Sequence, residues 1–147
     1  MEKMKGIVIY TDGACSGNPG KGGWCAILSY KGHEKMISGG EKETTNNRME
    51  LSAVCRGLAA LNTPCEVEVY SDSAYVVNAV TNGWLYNWLA NGWKTSDKKD
   101  VKNVDLWQEL LSLFEVHTVT FNKVKGHADD ELNNRCDKEA RAQALKQ

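Results

Sequence analysis

Apolar and polar positions along this chain alternate in two rhythms, and the changes between them mark its elements. Ile7, Ile9 and Thr11 set against Val8, Tyr10 and Asp12 follow the two-residue period of a strand. Both faces stay apolar until the acid, as in a central strand covered on each side, and the run then stops on Asp12-Gly13. Trp24 to Tyr30 and Glu34 to Ser38 predict an antiparallel hairpin hinged at Lys31-Gly32-His33. Thr44 to Glu50 opens a helix reaching about Leu61, with Leu51, Val54, Cys55, Leu58 and Leu61 at helical spacing and Thr63-Pro64 as its stop. Glu66 to Asp72 repeats the first strand's design. Helices are predicted over Ala74 to Val80 (Tyr75, Val76, Ala79 and Val80 inward), Trp84 to Trp93 and Val104 to Val116. Lys94 to Asp100 is an exposed loop. A strand over Thr118 to Val124 precedes a final helix, Glu131 to Leu145, with Leu132, Cys136, Ala140 and Ala144 at four-residue steps. This order predicts an α/β domain with a mixed sheet: an antiparallel hairpin on one side and crossover-linked parallel strands on the other.

The two acid-tipped strands carry the first chemical hint. Tyr10 and Asp12 share a face, as do Tyr70 and Asp72, so parallel neighbours would bring both carboxylates to one carboxyl edge, where open α/β sheets place their sites. Each has an ordinary alternative: Asp12-Gly13 opens a turn, and Asp72 caps the helix after it. Glu50, in the first turn of its helix, leans toward the sheet, or closes a capping box with Asn47. Asp137 borders the buried face of the last helix, or forms an i,i+4 pair with Arg141. Taken together, the four acids can converge in one cleft. Two like charges 4 Å apart repel by about 4 kcal/mol at an effective dielectric near 20, so four need cations or shared protons. Oxygen ligands without His or Cys select Mg²⁺ or Mn²⁺ over Zn²⁺, and paired ions of this kind catalyse in-line displacement at phosphorus.

Composition narrows the partners. The chain has 147 residues, read as a single domain over 1–147, with 18 basic and 19 acidic side chains and a net charge of -1. Binding to nucleic acid therefore needs a local patch. Five cysteines without a Cys-x-x-Cys spacing suggest reduced thiols in a cytoplasm. No apolar run approaches the roughly 20 residues of a membrane span, and the amino terminus lacks a signal-peptide core, so no membrane partner is expected. Gly17 to Gly23 is rich in glycine but lacks the Gly and the Ser or Thr of a phosphate-binding loop: Cys15 and Gly22 stand there.

The motifs Thr11-Asp12-Gly13, Thr45-Asn46-Asn47-Arg48-Met49-Glu50, Ser71-Asp72-Ser73, Val124-Lys125-Gly126-His127-Ala128 and Asn134-Arg135-Cys136-Asp137 resemble those of the type 1 ribonuclease H family. Gly92-Trp93-Lys94-Thr95 and Lys102-Asn103-Val104-Asp105-Leu106-Trp107 resemble its bacterial members, and the likeness spans nearly the whole chain. The resemblance implies the five-stranded ribonuclease H-like fold and endonucleolytic cleavage of the RNA strand of RNA–DNA hybrids, leaving 5′-phosphate and 3′-hydroxyl ends. It gives Asp12, Glu50, Asp72 and Asp137 the role of metal-binding carboxylates, with two Mg²⁺ (or Mn²⁺) ions when substrate is bound. It gives His127 a role in proton transfer or product release. Cys15, Asn18, Asn46 and Asn47 match positions lining the hybrid's minor groove. Short neutral donors there suit 2′-hydroxyl and base-edge contacts, although turn and cap chemistry uses the same residues. Trp84 and Trp88, one helical turn apart beside Lys94, Lys98, Lys99 and Lys102, resemble the family's basic protrusion gripping the DNA strand, and tryptophans also serve as core.

The chain departs from the family pattern at Leu89-Ala90-Asn91, where a basic run is usual, and at Ala74, where Gln is usual. No separate amino-terminal hybrid-binding domain is expected, nor an obligatory protein partner, so the cleft of a monomer does its own binding. The same fold and acids serve strand transferases and junction resolvases, whose partner domains nothing here resembles. A catalytically silent nucleic-acid-binding module is the alternative of a different class, and four intact acids speak against it.

Overall fold

The computed structural model describes residues 5–123 and 131–147. Five strands, β1 (Lys5–Gly17), β2 (Gly20–Tyr30), β3 (His33–Thr44), β4 (Cys65–Ser71) and β5 (Thr118–Lys123), form one mixed sheet in the order β3-β2-β1-β4-β5. The helices are α1 (Asn46–Ala59), α2 (Ala74–Thr81), α3 (Trp84–Ala90), α4 (Val104–Val116) and α5 (Glu131–Leu145). The five-stranded ribonuclease H-like architecture expected from the motifs is the one observed. The hairpin strands run longer than their apolar cores suggested, because cross-strand hydrogen bonds continue through polar residues from Gly20↔Thr44 to Tyr30↔His33. Val124, the expected end of β5, lies outside the described residues.

β1 is central, and its two sides stop at different heights. Its parallel ladder with β4 ends at Tyr10↔Tyr70, whereas its antiparallel ladder with β2 runs on to Gly17↔Gly20. The strand therefore does not end at Asp12-Gly13 as its apolar pattern suggested. Only its β4 side opens there. Neighbours that leave in opposite directions make the crevice of a topological switch point, and Asp12 stands in it.

Two apolar layers hold the sheet. On one face Ile7, Ile9, Val67 and Val69 pack against Leu51, Val54 and Leu58 of α1 and Leu106, Trp107 and Leu110 of α4. α1 is buried almost all round from Met49 to Cys55, so its middle is an inner helix. Each large apolar side chain so enclosed contributes about 1.5–3 kcal/mol. On the other face Cys25 and Ile27 meet Cys136 and Ala140 of α5. Gly23 makes this contact close: a Cβ there would overlap the carbonyl oxygen of Ala140. Val77 rather than Tyr75 or Val80 completes the buried side of α2. Trp84 to Trp93 is helical only to Ala90, because Gly92 and Trp93 take left-handed φ of 69° and 64° and turn the chain back. No described helix is long and apolar enough to cross a membrane.

Candidate active site

Three carboxylates meet above the crevice, each freed for that place by a neighbour that does the local structural work. At α1 the N-cap is Thr45, whose Oγ1 accepts from the Arg48 N–H at 3.2 Å, and Asn18 Oδ1 accepts from the Asn46 N–H at 3.2 Å. Asn47 is therefore not a capping partner, and Glu50 is turned inward, 4% exposed, instead of closing a box. After β4 the cap is Ser73, whose Oγ accepts from the Val76 N–H at 3.2 Å, and Asp72 is left exposed at the rim. Asp12 is buried on β1 and accepts from the Gly13 N–H at 2.9 Å. Gly13 also sets the spacing of β1 and α1, because a Cβ there would overlap the Glu50 backbone nitrogen and Met49. The turn, capping-box and cap alternatives for these three acids are thus all excluded by the geometry.

One carboxylate oxygen from each of Asp12, Glu50 and Asp72 lies within 4.8 Å of the others. Burial, then the charge of Asp72, pushes the Asp12 carboxyl up to about 7. Burial followed by the charges of Asp12 and Asp72 pushes Glu50 well above the usual carboxylate range. Burial likewise raises Asp72. Glu50 Oε2 is buried with no hydrogen-bond partner. Such an atom is costly in a protein interior unless a ligand meets it.

Asp137 lies outside this tight group. Half-exposed on α5 beside the buried Cys136, it forms with Arg141 Nη2, at 3.2 Å, the i,i+4 pair that was its ordinary alternative. Its charge still reaches the cluster and raises both Asp12 and Asp72. One further contributor, Lys123, was not singled out in the sequence. Lys123, across the ladder from Ser71, lowers Asp72 by its charge. Tyr10 and Tyr70 stack at 5.0 Å and 12° one step below the acids; their shared face with Asp12 and Asp72 was the signal for that pair. His127 lies outside the described residues.

The residues matched to minor-groove positions gather at one rim. Cys15 Sγ donates to the carbonyls of Gly17, at 2.7 Å, and Thr44, at 3.3 Å, while Asn18 holds Asn46, and Asn46 and Asn47 are exposed at the start of α1. On the far side α3 and the loop after it form an arm. The two tryptophans, expected to share core and surface roles, divide them instead. Trp84 is 44% exposed, while Trp88 is half-buried and edge-on to Trp107 at 5.6 Å. A cleft of about 480 Å³ opens between Trp84, Trp88, Asn91 and Lys94. Lys94 is tied to Asp100 in an ion pair, whereas Lys98, Lys99 and Lys102 are exposed and without an ion pair among the described residues.

The RNase H family model matches residues 4–145. The chain is 63% identical over 139 residues to a ribonuclease H of Caldicellulosiruptor saccharolyticus, covering 95% of this chain and 96% of that protein. It is equally identical over 141 residues to one of Chlorobaculum parvum, covering 96% and 95%. Among solved structures it is similar to LC9-RNase H1, a type 1 RNase H with the type 2 active-site motif, at 29% identity and a TM-score of 0.85 over 100% of this chain and 75% of that one. It is also similar to LC11-RNase H1 in complex with RNA/DNA hybrid, at 25% identity and a TM-score of 0.72 over 95% and 97%.

Proposed function

Because the chain belongs to the ribonuclease H family, we propose that Asp12, Glu50, Asp72 and Asp137 are its metal-binding carboxylates. It is a ribonuclease H, an enzyme that hydrolyses the RNA strand of RNA–DNA hybrids. The observation that carries the site is the convergence of three carboxylates around a buried, unpartnered Glu50 Oε2. An all-oxygen donor set fits hard divalent cations, Mg²⁺ or Mn²⁺. A pair of such ions, bound with the substrate, supplies an activated water and stabilisation of the leaving oxygen.

The chain's own residues supply position. Asp12 is held by the Gly13 N–H and Glu50 by burial, so these two cannot swing away when a cation is absent. Asp72 is exposed at the rim and adjusts as substrate arrives, and Asp137 exchanges its pair with Arg141 for the cation. Cys15, Asn18, Asn46 and Asn47 face the minor groove near the cut, where neutral donors distinguish 2′-hydroxyls. Trp84 and Trp88 with Lys94, Lys98, Lys99 and Lys102 hold the DNA strand, and His127 moves a proton at the leaving or attacking oxygen. The products carry 5′-phosphate and 3′-hydroxyl ends. Five free thiols, four of them buried, fit a cytoplasmic enzyme, acting as a monomer without a membrane partner.

The test is cleavage of labelled RNA–DNA, RNA–RNA and DNA–DNA duplexes with Mg²⁺ and with chelator. Only the hybrid is expected to be cut, in its RNA strand, and only with metal. Binding without cleavage in Mg²⁺ and in Mn²⁺ would mean a silent binding module.

A further inference from the structure

The arginines around the crevice are already engaged. Arg141 pairs with Asp137, and Arg48 with Glu41 and Asp105. Lys123 is exposed and forms no ion pair among the described residues. It is the last residue of β5, in register with Ser71 of the parallel strand β4, so it stands at the same edge as Asp72. Its charge reaches that acid, as the one positive charge among the leading influences on it. Beyond Asp72 the chain places two small side chains. Ser73 is turned inward as the cap of α2, and Ala74 presents only an exposed methyl group. A cation without a partner therefore borders the crevice at a rim that no large side chain of this turn fills.

The anion that a hybrid brings to Asp72 is the backbone of the strand being cut. We propose that Lys123 is a binding residue for that strand: its ammonium pairs with an RNA phosphate neighbouring the one that is cleaved, across the rim at Ala74. The inference rests on the hybrid-cleaving reading and goes beyond it, adding a cation on the cleaved strand to those that hold the DNA strand. A lysine is a compact charge on a flexible stem, so it positions the strand without reading a base. The neighbouring phosphate keeps its charge throughout the reaction. Ground state and transition state therefore feel Lys123 alike, and it supplies affinity rather than rate.

Lys123→Ala should raise KM for hybrid by roughly 3- to 10-fold, the range of a single hydrogen bond, with kcat unchanged. The slope of log K against log salt should flatten by roughly 0.9, and Lys123→Arg should restore both. The loss should persist on a hybrid trimmed on the arm side until Trp84→Ala no longer affects it, because this contact lies beside the cut. Fluorescence anisotropy of labelled hybrid in chelator should show the same weakening, while the rise in Tm that Mg²⁺ gives is the same in wild type and variant. A lysine that serves only to keep Asp72 charged would do the reverse: binding in chelator and the salt slope would stay put, and the Mg²⁺ response would weaken. That result overturns the proposal, as does an unchanged KM or a loss that disappears on the trimmed hybrid. A wild type that neither binds nor cuts hybrid would overturn the functional reading and this proposal with it, whereas the variants bear on Lys123 alone.

Discussion

The carboxylate crevice and the lysine-bearing arm are built by opposite rules. In the crevice, charges are buried beside one another, and Asp12 and Glu50 rise far above ordinary carboxylates because the fold withholds water from them. Glycine at position 13 and the caps at Thr45 and Ser73 exist there to hold that unfavourable arrangement in place. On the arm, the charges are exposed, one is already neutralised by Asp100, and it is the apolar side chains Leu85, Trp88 and Val101 that tie it to the core. Exposed ion pairs contribute only about 0–1 kcal/mol, so the arm costs the fold little and can add only modest binding. The crevice stores destabilisation that a cation can relieve. The lesson is that stability lost at a site marks chemistry, while cheap exposed charge marks uniform binding.

The comparison breaks most sharply at the acids. Asp12→Asn or Asp72→Asn keeps the shape of the site and removes a ligand, so steady-state assays should find nearly all hybrid cleavage gone while far-UV circular dichroism is unchanged. Retention of most activity by either variant would remove the crevice from the mechanism.

A smaller effect belongs to His127. A proton carrier contributes roughly 10²–10⁴-fold, so His127→Ala should lower kcat by that order, leave KM little changed, and keep the stabilisation that Mg²⁺ gives. Loss of the Mg²⁺ response would make this residue part of the metal site.

The arm should respond least. Replacing Lys94, Lys98, Lys99 and Lys102 by alanine should raise KM and spare kcat, because ground state and transition state feel these charges alike. The slope of log K against log salt should flatten by roughly 0.9 for each DNA phosphate that no longer has a lysine beside it. With Lys94 engaged by Asp100 and no charge in Leu89-Ala90-Asn91, the wild-type arm is expected to neutralise about two or three phosphates. An unchanged slope would show that the lysines are only a solvated face.

Much of this division was legible in the residues themselves. Periodicity placed every helix and the sheet, and the repeated Tyr-x-Asp ending placed two acids at one edge, because side chains two apart on parallel strands must share a face. The continuation of β1 to Gly17 was not legible: polar residues give no apolar signal, and the hydrogen bonds that extend the strand come from β2. Nor was the approach of Lys123 to Asp72, which depends on the ladder register between β4 and β5. The cap at Thr45 rather than Asn47 was equally hidden, since neighbouring Thr and Asn side chains compete for one backbone position and tertiary contacts, here Asn18 on Asn46, decide between them. That choice is what turned Glu50 from a capping residue into an inward one.

The claim that the crevice is destabilised for the sake of a cation is tested most directly by thermal melting of the wild type and Asp12→Asn, at pH 8 and pH 5, with chelator and with Mg²⁺. The sign follows from the raised carboxyls. The folded protein holds protons that the unfolded chain has released, so its stability falls as pH climbs from the ordinary carboxylate range through about 7. For Asp12 the shift sets an upper bound of ~4 kcal/mol at about 1.4 kcal/mol per pH unit. In chelator at pH 8 the variant should therefore melt several degrees above the wild type, and the gap should shrink at pH 5. Mg²⁺ at pH 8 should raise the wild type more than the variant, because only an intact site gains binding energy on folding. Equal shifts for both proteins, or a variant that melts lower at pH 8, would contradict the account.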